Sequence, residues 1–368
     1  MMRVLHVVGA MNMGGTETML MNIFRSIDRK QVKFDFVSYS SNRAYYDEEI
    51  LELGGRIFHL SKTTSVSQLL KIIKENGPYD VIHSHTLFHC GVSNLAGKLA
   101  GIPVRIAHAH TTLDDDSNFA RRTYINLMRE VIHYSSTHLL ACSYEAGRYL
   151  FGKNKLGNKR YQYLPNLIDY SKLVTVDEEE VRNFKKEYQL ENRYVIGHVG
   201  RFTEAKNHVF MINMMEEIVQ INPKACLILV GEGSLKTDVQ LLVKVKNLEN
   251  HVLLLGLRQD ISTILHSFDV FLFPSIFEGL GLVLLEAQMC GVRCIVSEAI
   301  QPEADLELGM VTQLQLSSDV DVWCKEVLKV QSSKVENVTQ LVTALHEKGY
   351  TKEQIITNLI KVYEGEGA

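Results

Sequence analysis

An α/β fold with two doubly wound parallel sheets is what this sequence predicts, and three of its features carry the prediction. Short apolar runs alternate with stretches of helical period along the whole chain, the pattern of parallel strands covered by helices on both faces. The pattern restarts near residue 194, after an acidic, strand-poor stretch over residues 176–191. The 368 residues are too many for one core of ordinary size, so two domains are expected.

The first half opens on Val4-Leu5-His6-Val7-Val8, a buried strand that runs directly into Gly9 and then Met13-Gly14-Gly15-Thr16-Glu17. A glycine turn that closes a strand and opens a helix offers free N–H groups to a phosphate or a sugar. It is also read as a tight turn with Thr16 as the helix cap. The spacing is not GxGxxG, and the second strand ends in Ser38-Tyr39-Ser40-Ser41 instead of the acidic residue of a dinucleotide site. Further strands are predicted at 34–38, 56–60, 81–84, 104–107 and 139–141, with helices between them. His83 and His85 fall near the end of one of these strands, and His108 and His110 after the next. Four histidines at two strand ends allow a zinc reading, but no Asp, Glu or Cys completes a tetrahedral set at matching spacing, which favours satisfied rim histidines.

A helix from Phe119 follows Asp114-Asp115-Asp116, where acidic residues favour the positive helix end over a metal-binding DxD. It interleaves Arg121, Arg122 and Arg129 with Tyr124, Ile125, Met128 and Ile132, and Lys153, Lys155, Lys159 and Arg160 lie just beyond. Such interleaving suits an anionic membrane surface, and equally a half-buried helix with a solvated basic face. Pro165 and Asn166 then lead out of the first half, placing a hinge and a cleft near residues 164–173.

Strands of the second half are predicted at 194–199, 225–230, 252–255, 270–273 and 294–297. Gly200-Arg201 closes the first, and Lys206 follows five residues later. Two cations there would neutralise a diphosphate, Arg by its bidentate fork and Lys as a point charge; a solvated surface pair is the plainer reading. Gly231-Glu232-Gly233 after the second strand reads as a loop whose glycines keep the cleft open, and Gly256-Leu257-Arg258 follows the third. The strand at 270–273 enters Pro274-Ser275-Ile276-Phe277-Glu278-Gly279-Leu280-Gly281, and an apolar helix follows and stops at Gly291. Free N–H groups near Gly279 to Leu282 would face a ligand, with Glu278 in the loop and Glu286 just over a turn inside the helix. An ionised carboxylate accepts hydrogen bonds in pairs, so each glutamate suits vicinal hydroxyls of a sugar or ribose. A capping loop with a buried, paired Glu is the alternative. The last helix, 352–363, carries an apolar stripe of Ile355, Ile356, Leu359, Ile360 and Tyr363 that must pack on something.

Composition removes several classes of function. A formal charge of -4 excludes the bulk basic character of a nucleic-acid coat, so no nucleic-acid partner is expected. Six cysteines form no CxxC pair and no metal spacing, and they read as reduced core thiols of a cytoplasmic protein. The first apolar run is too short for a signal-peptide core, and no run reaches the about 18 to 20 apolar residues of a spanning helix, so membrane contact would be peripheral.

The stretch around Glu278 and Glu286 resembles the Glu-x7-Glu signature of the retaining glycosyltransferases with two Rossmann-like domains facing a central cleft, the GT-B architecture found in capsule, exopolysaccharide and lipopolysaccharide sugar transferases. The resemblance spans almost the full chain. It implies an N-terminal, acceptor-side domain of residues 1–165 with a returning helix at 350–368, and a nucleotide-sugar domain of residues 166–349. By similarity, Glu278 with Gly279, Leu280 and Gly281 holds the donor sugar and Glu286 the ribose, while Arg201 and Lys206 meet the leaving diphosphate. The Gly256-Leu257-Arg258 loop reads the base through its backbone, Gly14 and Gly15 face donor and acceptor, and His110, supported by His108, contacts the sugar near the reacting centre.

The implied enzyme is a metal-independent hexosyltransferase or N-acetylhexosaminyltransferase without cofactor. Its donor is a nucleotide-diphosphate sugar, expected to be UDP-linked, and its acceptor a polysaccharide or lipid-linked oligosaccharide. Two other classes fit the architecture: a sugar-nucleotide epimerase, for which only His110 is an evident acid or base, and a non-catalytic partner of another transferase.

Overall fold

The structure is a computed structural model that describes residues 1–112, 119–153, 156–157, 159–330 and 337–367. The chain forms two units, Met1–Ile168 with Gly349–Ala368, and Asp169–Lys348.

Seven parallel strands make the sheet of the first unit: β1 (Met2–Val8), β2 (Val32–Ser38), β3 (Arg56–His59), β4 (Val81–Ser84), β5 (Val104–Ala109), β6 (His138–Ala141) and β7 (Tyr161–Tyr163), in the order β3-β2-β1-β4-β5-β6-β7. Val4, Leu5, Val7 and Val8 are all buried, as expected of a central strand covered on both faces. The closing helix Lys352–Tyr363 lies in this unit, where Ile355, Leu359, Val362 and Tyr363 join Phe24, Phe34 and Phe36 in one core. Its apolar stripe therefore has its partner.

The second unit has six parallel strands: β8 (Tyr194–Val199), β9 (Ala225–Val230), β10 (Val252–Gly256), β11 (Val270–Phe273), β12 (Arg293–Ser297) and β13 (Val311–Leu314), ordered β10-β9-β8-β11-β12-β13. Its core gathers Met211, Met214 and Met215 around Trp323. In each sheet the first strand is central and the chain leaves it in opposite directions, giving switch points at β1/β4 and β8/β11.

Two strands carry no sequence signal. β7 and β13 are short edge strands, and the middle of β13, Thr312 and Gln313, is exposed, so neither shows an apolar run. β5 also extends to Ala109, two residues further than expected, so His108 lies inside the strand and not after it. No helix among the described residues is long and apolar enough to cross a membrane. All six cysteines are buried, and none forms a disulfide among the described residues.

Candidate active site

In the second unit, β8 and β11 run side by side, with Val270 opposite Ile196, and the loops beyond their carboxyl ends are stitched together. Ile276 N donates to Ala205 O at 2.8 Å. Asn207, held in the left-handed region at φ 56°, donates from Nδ2 to Pro274 O at 3.1 Å. Lys206 Nζ donates to Glu278 Oε1, which also accepts from Ser275 Oγ at 2.8 Å. The same ammonium sits 4.7 Å from the centre of the Phe273 ring. Side chains 72 residues apart in sequence thus form one ion pair, 18% and 11% exposed. Ser275, Asn207 and Phe273 escaped the sequence reading. Ser275 and Asn207 flank the assigned residues and could have been suspected as polar neighbours; nothing marked Phe273 as more than a strand residue.

Arg201, at the end of β8, is exposed, and its guanidinium has no partner among the described residues. The apolar helix spans Leu282–Met289 and begins after Gly281, whose φ of +89° only glycine adopts easily. A Cβ there would also stand 3.1 Å from the Phe273 ring. Gly281 has no side chain to cap this helix, and Leu284 N donates to Gly281 O at 2.9 Å, so the N–H groups of Leu282 and Val283, without a partner among the described residues, are left for a ligand. Gly279 and Leu280 belong to the turn before it, and Leu280 is buried. Glu286, on the second turn, is half-buried, its carboxyl has no hydrogen bond or ion pair among the described residues, and desolvation alone lifts that carboxyl to about 7.

Arg258 is committed within its own loop. It donates to both oxygens of Asp260 at 2.8 and 2.6 Å and to Tyr188 Oη at 3.2 Å, and this pairing raises its pKa further above the usual guanidinium value. Leu257 beside it is half-exposed. The Gly231-Glu232-Gly233 loop corrects an expectation. A Cβ on Gly231 would lie 2.1 Å from Gly200 O, and one on Gly233 2.3 Å from Phe202 O. These glycines let the loops after β8 and β9 pack backbone on backbone; they do not keep a space open.

In the first unit, Gly14 caps the helix Gly15–Ser26 with no side-chain hydrogen bond, so Thr16 is not its cap. The histidines form two hydrogen-bonded rows across β1, β4 and β5. Tyr363 Oη meets His83 Nδ1 at 3.1 Å, and His83 Nε2 meets His108 Nδ1 at 3.1 Å. His6 Nδ1 meets His85 Nε2 at 3.2 Å, and His85 Nδ1 meets His110 Nε2 at 2.9 Å. His6 was not singled out in the sequence because a histidine inside an apolar strand reads as core. Burial pushes His6 and His110 down to about 3, while burial and the neighbouring imidazoles hold His83, His85 and His108 well below the ordinary value, so all five are neutral.

Asp114, Asp115, Asp116 and Lys155 lie outside the described residues. The basic face around the Phe119–Ser135 helix is thinner than the sequence suggests. Arg129 donates to Tyr149 O at 2.5 Å, and Arg160 donates to His133 O and Ser136 O at 3.0 and 2.9 Å. Arg122, Lys153 and Lys159 stay exposed, as do Phe119, Leu127 and Tyr134.

Two doubly wound units with cations, carboxylates and an open helix start at a switch point define a glycosyltransferase of the GT-B class. The sequence relations place it within that class. Residues 13–172 match the family model of Glycosyltransferase Family 4, and residues 180–307 that of glycosyl transferases group 1. The glycosyltransferase EpsF of Bacillus subtilis (strain 168) is 38% identical over 98% of this chain and 96% of its own length. The UDP-Gal:alpha-D-GlcNAc-diphosphoundecaprenol alpha-1,3-galactosyltransferase of Escherichia coli is 27% identical over 74% of this chain and 72% of its own. Among solved structures, Anabaena HepE in complex with UDP and glucose superposes with a TM-score of 0.81 at 17% identity, covering 99% of this chain and all of that one. The chain belongs to the group 1 glycosyltransferases and is an enzyme of sugar transfer.

Proposed function

We propose that this enzyme transfers a hexose or N-acetylhexosamine, with retention and without a metal, from a UDP-linked sugar to a polysaccharide or lipid-linked oligosaccharide acceptor in the assembly of a surface polysaccharide. One observation carries the reading: an exposed Arg201, without a partner among the described residues, stands at the end of β8 in the same strand-end region as the Lys206–Glu278 pair. Two cations against one carboxylate leave a net positive charge, and the open helix start adds N–H donors. A departing diphosphate is stabilised there by charges already in position, with little reorganisation as its own charge develops.

Glu278, oriented by Lys206 and Ser275, accepts hydrogen bonds from sugar hydroxyls, and Glu286 accepts them from the ribose. Backbone groups of Gly256 to Arg258 read the base, in keeping with an Arg258 side chain spent on Asp260. The contribution of the first unit is the Gly14–Gly15 turn, facing donor and acceptor, and His110 at the sugar. Glu278 is bound up with its cation, so it orients the donor and does not attack it; the acceptor enters on the face the leaving group vacates. The donor and lipid-linked acceptor named for the Escherichia coli relative, and the UDP in HepE, support the substrate classes.

The test pairs metal with stereochemistry. A chelator should leave most of the transfer activity, and an α-linked donor should give an α-linked product by NMR. An inverted anomer, or activity abolished by chelator and restored only by a divalent ion, would overturn the mechanism.

A further inference from the structure

Five of the first unit's histidines, His6, His83, His85, His108 and His110, bring their ring nitrogens together in two groups of three. One ring nitrogen from each of His85, His108 and His110 lies within 4.8 Å of the other two, and the same holds for His6, His83 and His85. Three buried ring nitrogens of this group, His6 Nε2, His108 Nε2 and His110 Nδ1, have no hydrogen-bond partner among the described residues. Of the two triads the outer one is better prepared. Both nitrogens of His83 are engaged, by Tyr363 and by His108, whereas His108 Nε2 has no partner.

We propose that His85 Nδ1, His108 Nε2 and His110 Nε2 bind a divalent transition-metal ion of the zinc class. Three neutral imidazoles with a water in the fourth position are a sufficient zinc set, so no carboxylate or thiol is needed. Tetrahedral bonds of about 2.0–2.1 Å separate donors by about 3.3–3.4 Å. His85 Nδ1 and His110 Nε2 stand 2.9 Å apart on half-buried rings, so a shift of a few tenths of an ångström, about 0.4–0.5 Å, opens the edge.

One set of tautomers gives two of the three ligands, His85 and His108, an outer partner; His110 carries its proton on Nδ1, which has none among the described residues. His85 donates its other N–H to His6 Nδ1 at 3.2 Å. His108 donates its own to His83 Nε2 at 3.1 Å, and His83 donates on to Tyr363 Oη at 3.1 Å. Ligating histidines are held by such outer partners in known sites. A bound ion occupies His110 Nε2. On the proposed function, which gives His110 to the donor sugar, the ion therefore inhibits transfer and does not support it.

The experiment uses the tag-free full chain, stripped with chelator and titrated with Co²⁺ and then Zn²⁺. One equivalent of Co²⁺ should give the visible absorption of a tetrahedral site, and Zn²⁺ should displace it. His85→Gln should weaken binding at least tenfold, and His6→Gln, which removes an outer partner only, by about tenfold. If His6→Gln fails to fold by circular dichroism, His85→Gln, at a less buried position, carries the test. Absence of a stoichiometric site, or affinity unchanged in His85→Gln, overturns the proposal. Zn²⁺ binding without inhibition supports the ion site and instead overturns the role given to His110.

Discussion

The two units share a topology and differ at the strand ends it exposes. Each sheet puts its first strand in the middle and reverses direction beside it, so each offers a crevice beyond that strand. At β1, β4 and β5 the side chains are imidazoles kept neutral by burial and by one another. At β8 and β11 they are Arg201, Lys206 and Glu278, one free cation and one ion pair, with Glu286 on the helix that follows. The fold decides where a ligand can approach, and the residues at those ends decide which ligand it is. A charged, N–H-lined end suits a nucleotide diphosphate; a neutral, donor-and-acceptor end suits sugar hydroxyls or a soft cation.

The largest effect expected of this contrast comes from removing charge at the second unit's switch point. Arg201→Ala and Lys206→Ala should each lower turnover by about two orders of magnitude or more, the range for loss of a transition-state charge partner. Arg201→Ala should leave the melting temperature unchanged. Lys206→Ala should lower it, since the largely buried Glu278 loses its ion-pair partner. A near-wild-type rate in either variant would remove that residue from the site.

Next is Glu278→Gln, which keeps shape and loses charge. Turnover should fall by some tens-fold while UDP affinity, by calorimetry, stays within about threefold, because the group acts on the sugar. Equal losses in both quantities would mean that Glu278 serves the nucleotide.

Glu286→Gln should do the reverse, weakening UDP binding by about tenfold, the size of one hydrogen bond to a charged group, with a smaller change in turnover. Its pH dependence has a definite sign. The carboxyl sits near 7 in the folded chain against an ordinary 4.5, so between those values the native protein holds a proton that the unfolded chain has released. Its contribution to stability therefore declines as pH rises through that window, and Glu286→Gln should flatten that decline. Ribose hydroxyls donate to the ionised form, so UDP affinity should climb as pH passes 7 and stay level in the variant.

The smallest effect concerns the helix Phe119–Ser135. Exposed Phe119, Leu127 and Tyr134, together with exposed Arg122, Lys153 and Lys159, should give weak binding to vesicles containing anionic lipid, reduced at high salt. Flotation independent of lipid charge would leave this helix as a solvated face.

Most of the fold was legible in the sequence because buried parallel strands are continuous apolar runs, and a run is a local property. β8, β9 and β11 fall where their runs do, and the carboxylate spacing from Glu278 to Glu286 is written in one helix start. Edge strands β7 and β13 were illegible for the complementary reason: their pairing lies with a neighbour and not in their own composition. The same divide runs through the site. Sequence alone placed Arg201, Lys206, Glu278 and Glu286 near strand ends or a helix start, since each needs only its own segment. The tertiary structure alone decided that Lys206 spends its charge on Glu278 and that His6 joins His85 and His110 in one row. Those are contacts across strands, and which strands are neighbours is settled by the packing of the whole sheet.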